Sequence, residues 1–513
     1  MRSVSALASV MIAALLGLGI SETVSGSPFY EAVVQERAQA LAATPYHAPE
    51  PLPEVWRKLN YDQYRAIRPI PEKALWRDTD SPFRLEFFHP GYLFKRAVKF
   101  HVISADGEER PIPFERERFD YGDLVLKDGI ETSGLDGYAG FRIQYPLHDQ
   151  SDNFDEIGSF VGASYFRLLG EGQRYGLSAR GLALNVASAN QPEEFPVFVE
   201  YWLVEPTADA ESLEFYALLD SPSVSGAYHF EVFPGERTQA RVDVTLYFRE
   251  EVGSVGLAPL TSMFWYGENS AERGFAGWRP EVHDSDGLLF QTWNDETVWR
   301  PLYNHHAIRY SHYLAPDVRG FGLFQRDREF HHYEDLTNPY QLTPSAWIEP
   351  VGKWGKGAIR LVELPTDNEG IDNVVSFFEP EEKPKAGDSF TYAYDLAFVM
   401  KGEVELSRDR VEATRVGVDP TYPDTRRFAI DFNGPALQTL SADAPVFAEI
   451  RSSANGFIDE NQCFKNVMTG GWRVEFKLDT DDDNVQPVEL RCFLRTHPDN
   501  QILTETWSYQ WSP

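Results

Sequence analysis

Apolar and polar positions first alternate with a helical period and then, for most of the chain, with a period of two. Ser27-Pro28 has the form of a helix start, Ser capping and Pro at the first helical position. Phe29, Val33, Val34, Ala38 and Leu41 then fall on one face of a helix that ends before the loop Thr44-Pro45-Tyr46. Beyond about residue 80 the spacing changes. Val98, Phe100 and Val102 alternate with Lys99 and His101. Val242, Val244, Leu246 and Phe248 alternate with Arg241, Asp243, Thr245 and Tyr247. Alternation of this kind marks strands with one face buried. Such runs, separated by Gly, Pro, Asn and Asp, recur as far as Val399, which predicts a large antiparallel β-sandwich.

A second unit is expected after the charged stretch Lys401 to Arg415 and the turn-rich Asp419-Pro420-Thr421-Tyr422-Pro423-Asp424. Phe428, Ile430 and Phe432 alternate; so do Trp472, Val474, Phe476 and Leu478, and then Val488, Leu490, Cys492 and Leu494. About 100 residues of short strands fit an immunoglobulin-like sandwich. The chain is therefore read as all-β. Residues 1–26 form a signal peptide, 27–403 a large sandwich, 404–424 a linker and 425–513 the small sandwich. Asp479, Asp481 and Asp483 copy the opening of a calcium loop, but Asn484 stands where Gly is needed and Leu490 where a bidentate Glu is needed. A solvated hairpin between the Trp472 and Val488 strands accounts for them better.

The N-terminus changes the picture of where the chain works. Arg2, an apolar run from Ala6 to Ile20 and the small residues Ser25-Gly26-Ser27 have the form of a secretory signal cleaved near Gly26. No Arg-Arg pair precedes the apolar run, which favours the general secretory route. No later stretch is apolar for long enough to span a bilayer. Cys463 and Cys492 are the two cysteines, and export puts them where a bridge can persist. Their Cα separation is not encoded in the sequence; the strand register turns Cys492 inward, as a buried bridge or a buried thiol.

Charge and composition narrow the ligand. A net charge of −32 argues against nucleic acid and against anionic membrane surfaces, since both demand basic patches. Neutral ligands remain. An aromatic content of 14% suits sugars, whose apolar faces stack on rings, although aromatics are also what a β-rich core consumes.

Several catalytic signatures are missing: no Gly-rich phosphate loop with its Lys, no Gly-x-Ser-x-Gly and no His-Glu-x-x-His. His305-His306 and His331-His332, the latter beside Glu334 and Asp335, invite a metal reading. On a strand, adjacent residues point to opposite faces, so each pair offers one ligand. Neither a metal nor a cofactor is expected. Two acidic stretches fall in loop-like contexts: Arg279 to Gly287, with Glu281, Asp284 and Asp286, and Glu363 to Asn373, with Asp367, Glu369 and Asp372. Trp278, Trp293, Trp299, Trp347 and Trp354 occupy the same third of the chain. Glycoside hydrolysis uses two carboxyl groups, an acid for the leaving oxygen and a base or nucleophile opposite. In a chain with 79 Asp and Glu, acidic loops also arise simply as solvated surface.

Longer motifs carry a resemblance. Phe29-Tyr30-Glu31, Leu59-Asn60-Tyr61-Asp62-Gln63-Tyr64-Arg65-Ala66-Ile67-Arg68, Ala74-Leu75-Trp76 and Phe87-Phe88-His89-Pro90-Gly91 are similar to the opening of the periplasmic glucans biosynthesis protein G/D family. Trp278-Arg279-Pro280-Glu281-Val282-His283-Asp284-Ser285-Asp286, Arg319-Gly320-Phe321-Gly322-Leu323 and Trp354-Gly355-Lys356-Gly357 extend the match over the mature chain. The secretory signal resembles the G branch more than the D branch. The resemblance implies a large sandwich similar to galactose mutarotase joined to an immunoglobulin-like domain, in the periplasm of a Gram-negative cell. It implies a part in making osmoregulated periplasmic glucans, whose backbone is β-1,2-linked glucose. It further implies either an inverting β-1,2-glucan hydrolase or a non-catalytic glucan-binding factor working with an inner-membrane glucan synthase. On the family pattern Asp372 matches the general acid and Asp284 the general base, Asp286 being the alternative for the base, with Glu369 and Tyr340 ordering water or the proton path. Asp286, Trp347 and Trp354 are expected to bind substrate.

Overall fold

The computed structural model describes residues 28–122, 124, 134–148, 153–270, 277–400, 408–481 and 486–512. The expected signal peptide, residues 1–26, lies outside them. The N-terminal helix spans Pro28–Ala42, where the spacing placed it. Its buried face is Tyr30, Val34 and Ala38 with Leu41 beside them, one residue round from the expected Phe29 stripe. That face packs on Trp202, Tyr216, Leu218 and Ala227 of the neighbouring sheet, and the Tyr30 hydroxyl donates to the Gly107 carbonyl at 2.5 Å.

Two large sheets follow. The first contains ten strands, from Arg84–Phe88 at one edge through Val255–Ser262, Val374–Pro380 and Gly357–Glu363 to Arg309–Leu314 at the other. The second contains fourteen, and its middle runs Gly287–Gln291, Gly320–Phe324, Ser345–Val351, Ser389–Val399, Thr238–Phe248 and Val224–Phe233. Neighbours are antiparallel save for two pairs in the second sheet: Val197–Val204 with Lys99–Ile103, and Thr297–Pro301 with Thr506–Trp511. Alternating residues fill the space between the sheets, as the period of two requires. Val242, Val244, Leu246 and Phe248 are all buried there. Phe141, Phe160 and Phe166 stack in a row facing Phe215 and Phe230 edge-on. The expected all-β architecture is what the chain forms.

The C-terminal unit is a sandwich of four strands, Arg410–Val418, Arg426–Asn433, Trp472–Thr480 and Gly456–Lys465, facing three, Val446–Ser452, Val488–Thr496 and Thr506–Trp511. The stretch 404–424, expected as linker, therefore contains a strand of this sheet. Arg410, Glu412 and Arg415 give that strand a polar outer side, and a register shift between Val411 and Ala413 breaks its alternation. The Trp472 and Val488 strands lie in opposite sheets, so the acidic segment between them is a crossover rather than the expected hairpin; residues 482–485 of it lie outside the described ones. Both thiols are free, Cys492 buried and Cys463 half-buried, and burial pushes the Cys463 thiol up to about 12.

The two units share a sheet. Val298 and Trp299 pair with Thr506 and Trp507, so the three-stranded layer of the small sandwich continues into the large one. Side chains reinforce this joint. Arg326 grips the Glu505 carboxylate through both Nη atoms, at 2.5 and 3.0 Å, and lies over the Trp299 ring. Arg326 also donates to the Val411 carbonyl, while Glu505 accepts from the Val411 N–H. No helix among the described residues is long and apolar enough to cross a membrane.

Candidate active site

Three loops meet at one end of the large sandwich. The first joins the hairpin strands Gly357–Glu363 and Val374–Pro380 and carries Glu369 and Asp372. Buried Asn373 clamps its base: the side-chain amide donates to the carbonyls of Phe264 and Leu364 and its oxygen accepts from the Phe264 N–H. Clamping Asn373 leaves its neighbour Asp372 projecting outward, exposed. The second loop joins Gly320–Phe324 to Ser345–Val351 and carries Tyr340 in a single 3-10 turn, Tyr340–Leu342. The third runs from Val282–His283 to Gly287–Gln291 and carries Asp284, whose N–H donates to the Met263 carbonyl at 2.9 Å.

Between the loops lies a cavity of about 480 Å³, lined by Tyr175, Asp284, Asn338, Tyr340, Thr343 and Glu369 among others. That volume is in the usual range of small-molecule sites. The Tyr340 hydroxyl donates to Glu369 Oε2 at 2.7 Å, and Arg279 donates to the same oxygen at 2.5 Å. Arg279 also donates to Asp335 at 2.9 Å, and Asp335 in turn accepts the N–H groups of Thr337 and Asn338. One guanidinium thus ties the Tyr340 loop to the Glu369 loop. The Thr343 hydroxyl donates to the carbonyls of Asp284 and Tyr340, fixing the third loop to the second.

The electrostatics single out Asp284. Loss of water around its carboxyl, followed by the negative charge of Asp372, pushes it up to about 7. Burial raises Tyr165, and the Asp372 charge adds to that rise. Asp284, Asp372 and Tyr165 therefore share one field. Behind Asp284, buried His283 is pushed up to about 9: burial opposes its charge, but the hydrogen bond to Glu281 at 2.9 Å and the Glu281 charge overcome that. His283 Nδ1 faces the Gln325 side-chain oxygen at 2.8 Å, and the Gln325 amide donates to the His283 carbonyl. Both ring nitrogens and the backbone carbonyl of His283 are held, which fixes the backbone from which Asp284 projects.

Of the expected residues, Asp284, Glu369 and Tyr340 line the cavity; Asp372, on the Glu369 loop, is outside the lining, and its charge raises Asp284. Asp286, Trp347 and Trp354 are elsewhere. The chain bends between Val282–His283 and Gly287–Gln291, so Asp284 and Asp286 do not share a face. Asp286 accepts the N–H groups of Arg326 and Asp327 at 2.8 and 2.9 Å, towards the joint with the small sandwich. Trp347 is buried at that joint with Leu289, Trp299 and Phe324, against Gly320, where a Cβ would lie 2.2 Å from its ring. Trp354 packs edge-on to Phe378 and Tyr392, and its N–H donates to the Ala393 carbonyl. Arg174 and Tyr175 line the cavity without having been anticipated. They are single residues in a loop with no periodic signal. Arg279 stands in a quoted motif, but nothing in the sequence revealed which carboxylates it would reach.

Similarity to known proteins runs the length of the chain. The family described as "Periplasmic glucan biosynthesis protein, MdoG" matches residues 29–511. Glucans biosynthesis protein G of Ralstonia nicotianae is 45% identical over 489 residues, covering 94% of this chain and 95% of that protein. Glucans biosynthesis protein G of Pseudomonas aeruginosa (strain LESB58) is 41% identical over 491 residues, 93% of this chain and 91% of that protein. The probable glucans biosynthesis protein D of Shewanella oneidensis is 41% identical over 467 residues, 90% of this chain and 84% of that protein. With a match this continuous over both sandwiches and all three loops, the chain belongs to the periplasmic glucan biosynthesis family that contains the G and D proteins.

Proposed function

We propose that this protein works in the periplasm, where it binds linear β-1,2-linked glucan in the cavity between the three loops and trims it by inverting hydrolysis. Asp284 is the general base and Asp372 the general acid, each on its own loop. A base needs a proton affinity near the working pH, and a carboxyl pushed up to about 7 has it. The observation that carries the reading is this raised Asp284 in the wall of a cavity of sugar size, close enough to Asp372 for that charge to act on it. Inversion requires space for a water between the two carboxyls and groups that aim it. Glu369 supplies an acceptor whose Oε2 is already engaged by Tyr340 and Arg279, which leaves Oε1 to face water or a sugar hydroxyl. Tyr175, 37% exposed at the cavity wall, offers a ring face to a sugar. The glucan arrives from an inner-membrane synthase.

The test is incubation of purified protein with linear β-1,2-glucan, following chain length and the anomeric configuration of the new reducing end. Inverted product from the wild type, lost in Asp372→Asn and in Asp284→Asn, is expected. Tight binding with no turnover by any form would sink the hydrolase and leave a glucan-binding factor in glucan assembly.

A further inference from the structure

On the far side of His283 from the cavity lies a second cluster with no part in the chemistry above. After Gly320–Phe324 the chain passes through Asp327 into the short helix Phe330–Tyr333. Asp327 Oδ1 accepts the Glu329 N–H at 3.2 Å, and Oδ2 lies 2.5 Å from His332 Nδ1. Facing them is Glu281, buried, with one oxygen on His283. Glu281, Asp327 and His332 each present one donor atom, and the three atoms lie within 4.8 Å of one another. His332 stands on a helical turn, not on the strand expected from sequence, so the two-faced geometry that argued against its histidine pair does not apply.

Asp286 supplies an independent sign. Its Oδ2 takes the N–H of Asp327 itself, while its Oδ1 is shut off from solvent without a hydrogen-bond partner. With Glu281 and Glu268 it lines an adjoining cavity of about 20 Å³, room for one water, which Asp327 and His332 do not line. A buried carboxylate oxygen left unpaired is costly.

We propose that Glu281, Asp327 and His332 bind a divalent first-row metal ion of the Zn²⁺ type, with a fourth position open to solvent beside exposed His332. One imidazole and two carboxylates suit such an ion, whereas Mg²⁺ and Ca²⁺ prefer oxygen alone. Binding replaces the Asp327–His332 hydrogen bond, and the Nδ1 proton moves to Nε2 of the neutral ring or to solvent. The ion acts as a brace. It ties the segment that ends in Asp284 to the helix that leads into the Tyr340 loop, and so holds two walls of the cavity at a fixed spacing. The proposal does not depend on the hydrolase reading.

The experiment uses tag-free full-length protein stripped with a chelator and titrated with ZnCl₂ by calorimetry, with CoCl₂ as a spectroscopic probe of nitrogen and oxygen ligation. One equivalent of Zn²⁺ is expected to bind and to raise the melting temperature by mass action. His332→Ala and Asp327→Asn should each weaken binding by more than the roughly 10–100-fold that loss of an outer-shell partner costs. His331→Ala, one residue away and exposed, should leave it intact. His332 is exposed, so its variant folds, and the melting curve of the stripped protein checks this. No binding, or binding that survives either ligand substitution, overturns the assignment.

Discussion

Replacing Asp284 by Asn should make the protein more stable, and increasingly so as the pH rises. The carboxyl sits at about 7 in the folded protein against an ordinary value of 3.8. The unfolded chain therefore ionises first. Between these two values the native state holds a proton that the unfolded state has lost, so stability falls as pH rises from about 4 and the penalty is complete above about 7. Three units correspond to about 4 kcal/mol, a ceiling because part of the side chain keeps its water. Roughly 2.5 kcal/mol of this falls between pH 5 and pH 8. Asn has the same shape and does not titrate. Urea unfolding of wild type and Asp284→Asn at the two pH values isolates the group, because every other titrating residue is common to both. The variant should gain on the wild type by about 2 kcal/mol on going from pH 5 to pH 8. A difference independent of pH, or one that shrinks as pH rises, would refute the raised carboxyl.

Three further outcomes follow from the same geometry. If Asp284 is the base, kcat/KM on β-1,2-glucan should climb as pH rises through about 7, and Glu369→Gln should move that limb to lower pH because the Glu369 charge helps to hold the proton; a rate that instead falls through this range would exchange the roles of Asp284 and Asp372. Arg279→Met removes both the Glu369 and the Asp335 bonds, so glucan affinity measured by calorimetry should drop about tenfold, about 1.4 kcal/mol, and an unchanged Kd would show that the two loops keep their places without it. Glu505→Gln leaves Arg326 buried at the joint without its bidentate carboxylate partner; it should cost about 3 kcal/mol in denaturant unfolding, and a loss below about 1 kcal/mol would remove this pair from the account of how the sandwiches are held.

The strands that were legible are those whose burial differs between faces. Val242 to Phe248 and Phe428 to Phe432 announce themselves because alternate residues are apolar, and the N-terminal helix does so through spacings of three and four. Continuity of the second sheet is a different kind of fact. The pairing of Val298 and Trp299 with Thr506 and Trp507 is made by backbone groups about two hundred residues apart, and backbone hydrogen bonds carry no side-chain signature. Arg410–Val418 was hidden for a related reason: its outward residues are charged and its inward ones are interrupted by the shift at Val411, so it read as a linker.

The site divides along the same line. Carboxylates were findable, because two acidic loops in one third of the chain invite two-carboxyl chemistry, and Asp284 and Glu369 do line one cavity. The tryptophans were misleading because a large apolar ring is drawn to the core as readily as to a sugar, and for Trp347 and Trp354 the core won. Asp284 and Asp286 show why composition could not finish the task. The two acids are two residues apart in one motif, yet a bend sends one carboxyl to the cavity and the other to the domain joint. The buried His283 ring, held by Gln325 and Glu281, is a cation whose charge acts on both. It lowers Asp284 while the Asp372 charge raises it. His283→Gln, neutral and still able to hydrogen-bond, should thus lift Asp284 above its present value and carry the alkaline end of the stability penalty past pH 7. NMR titration of the Asp284 carboxyl reads this directly; a value that stays put or falls would show that the imidazole positions the acid without charging its surroundings.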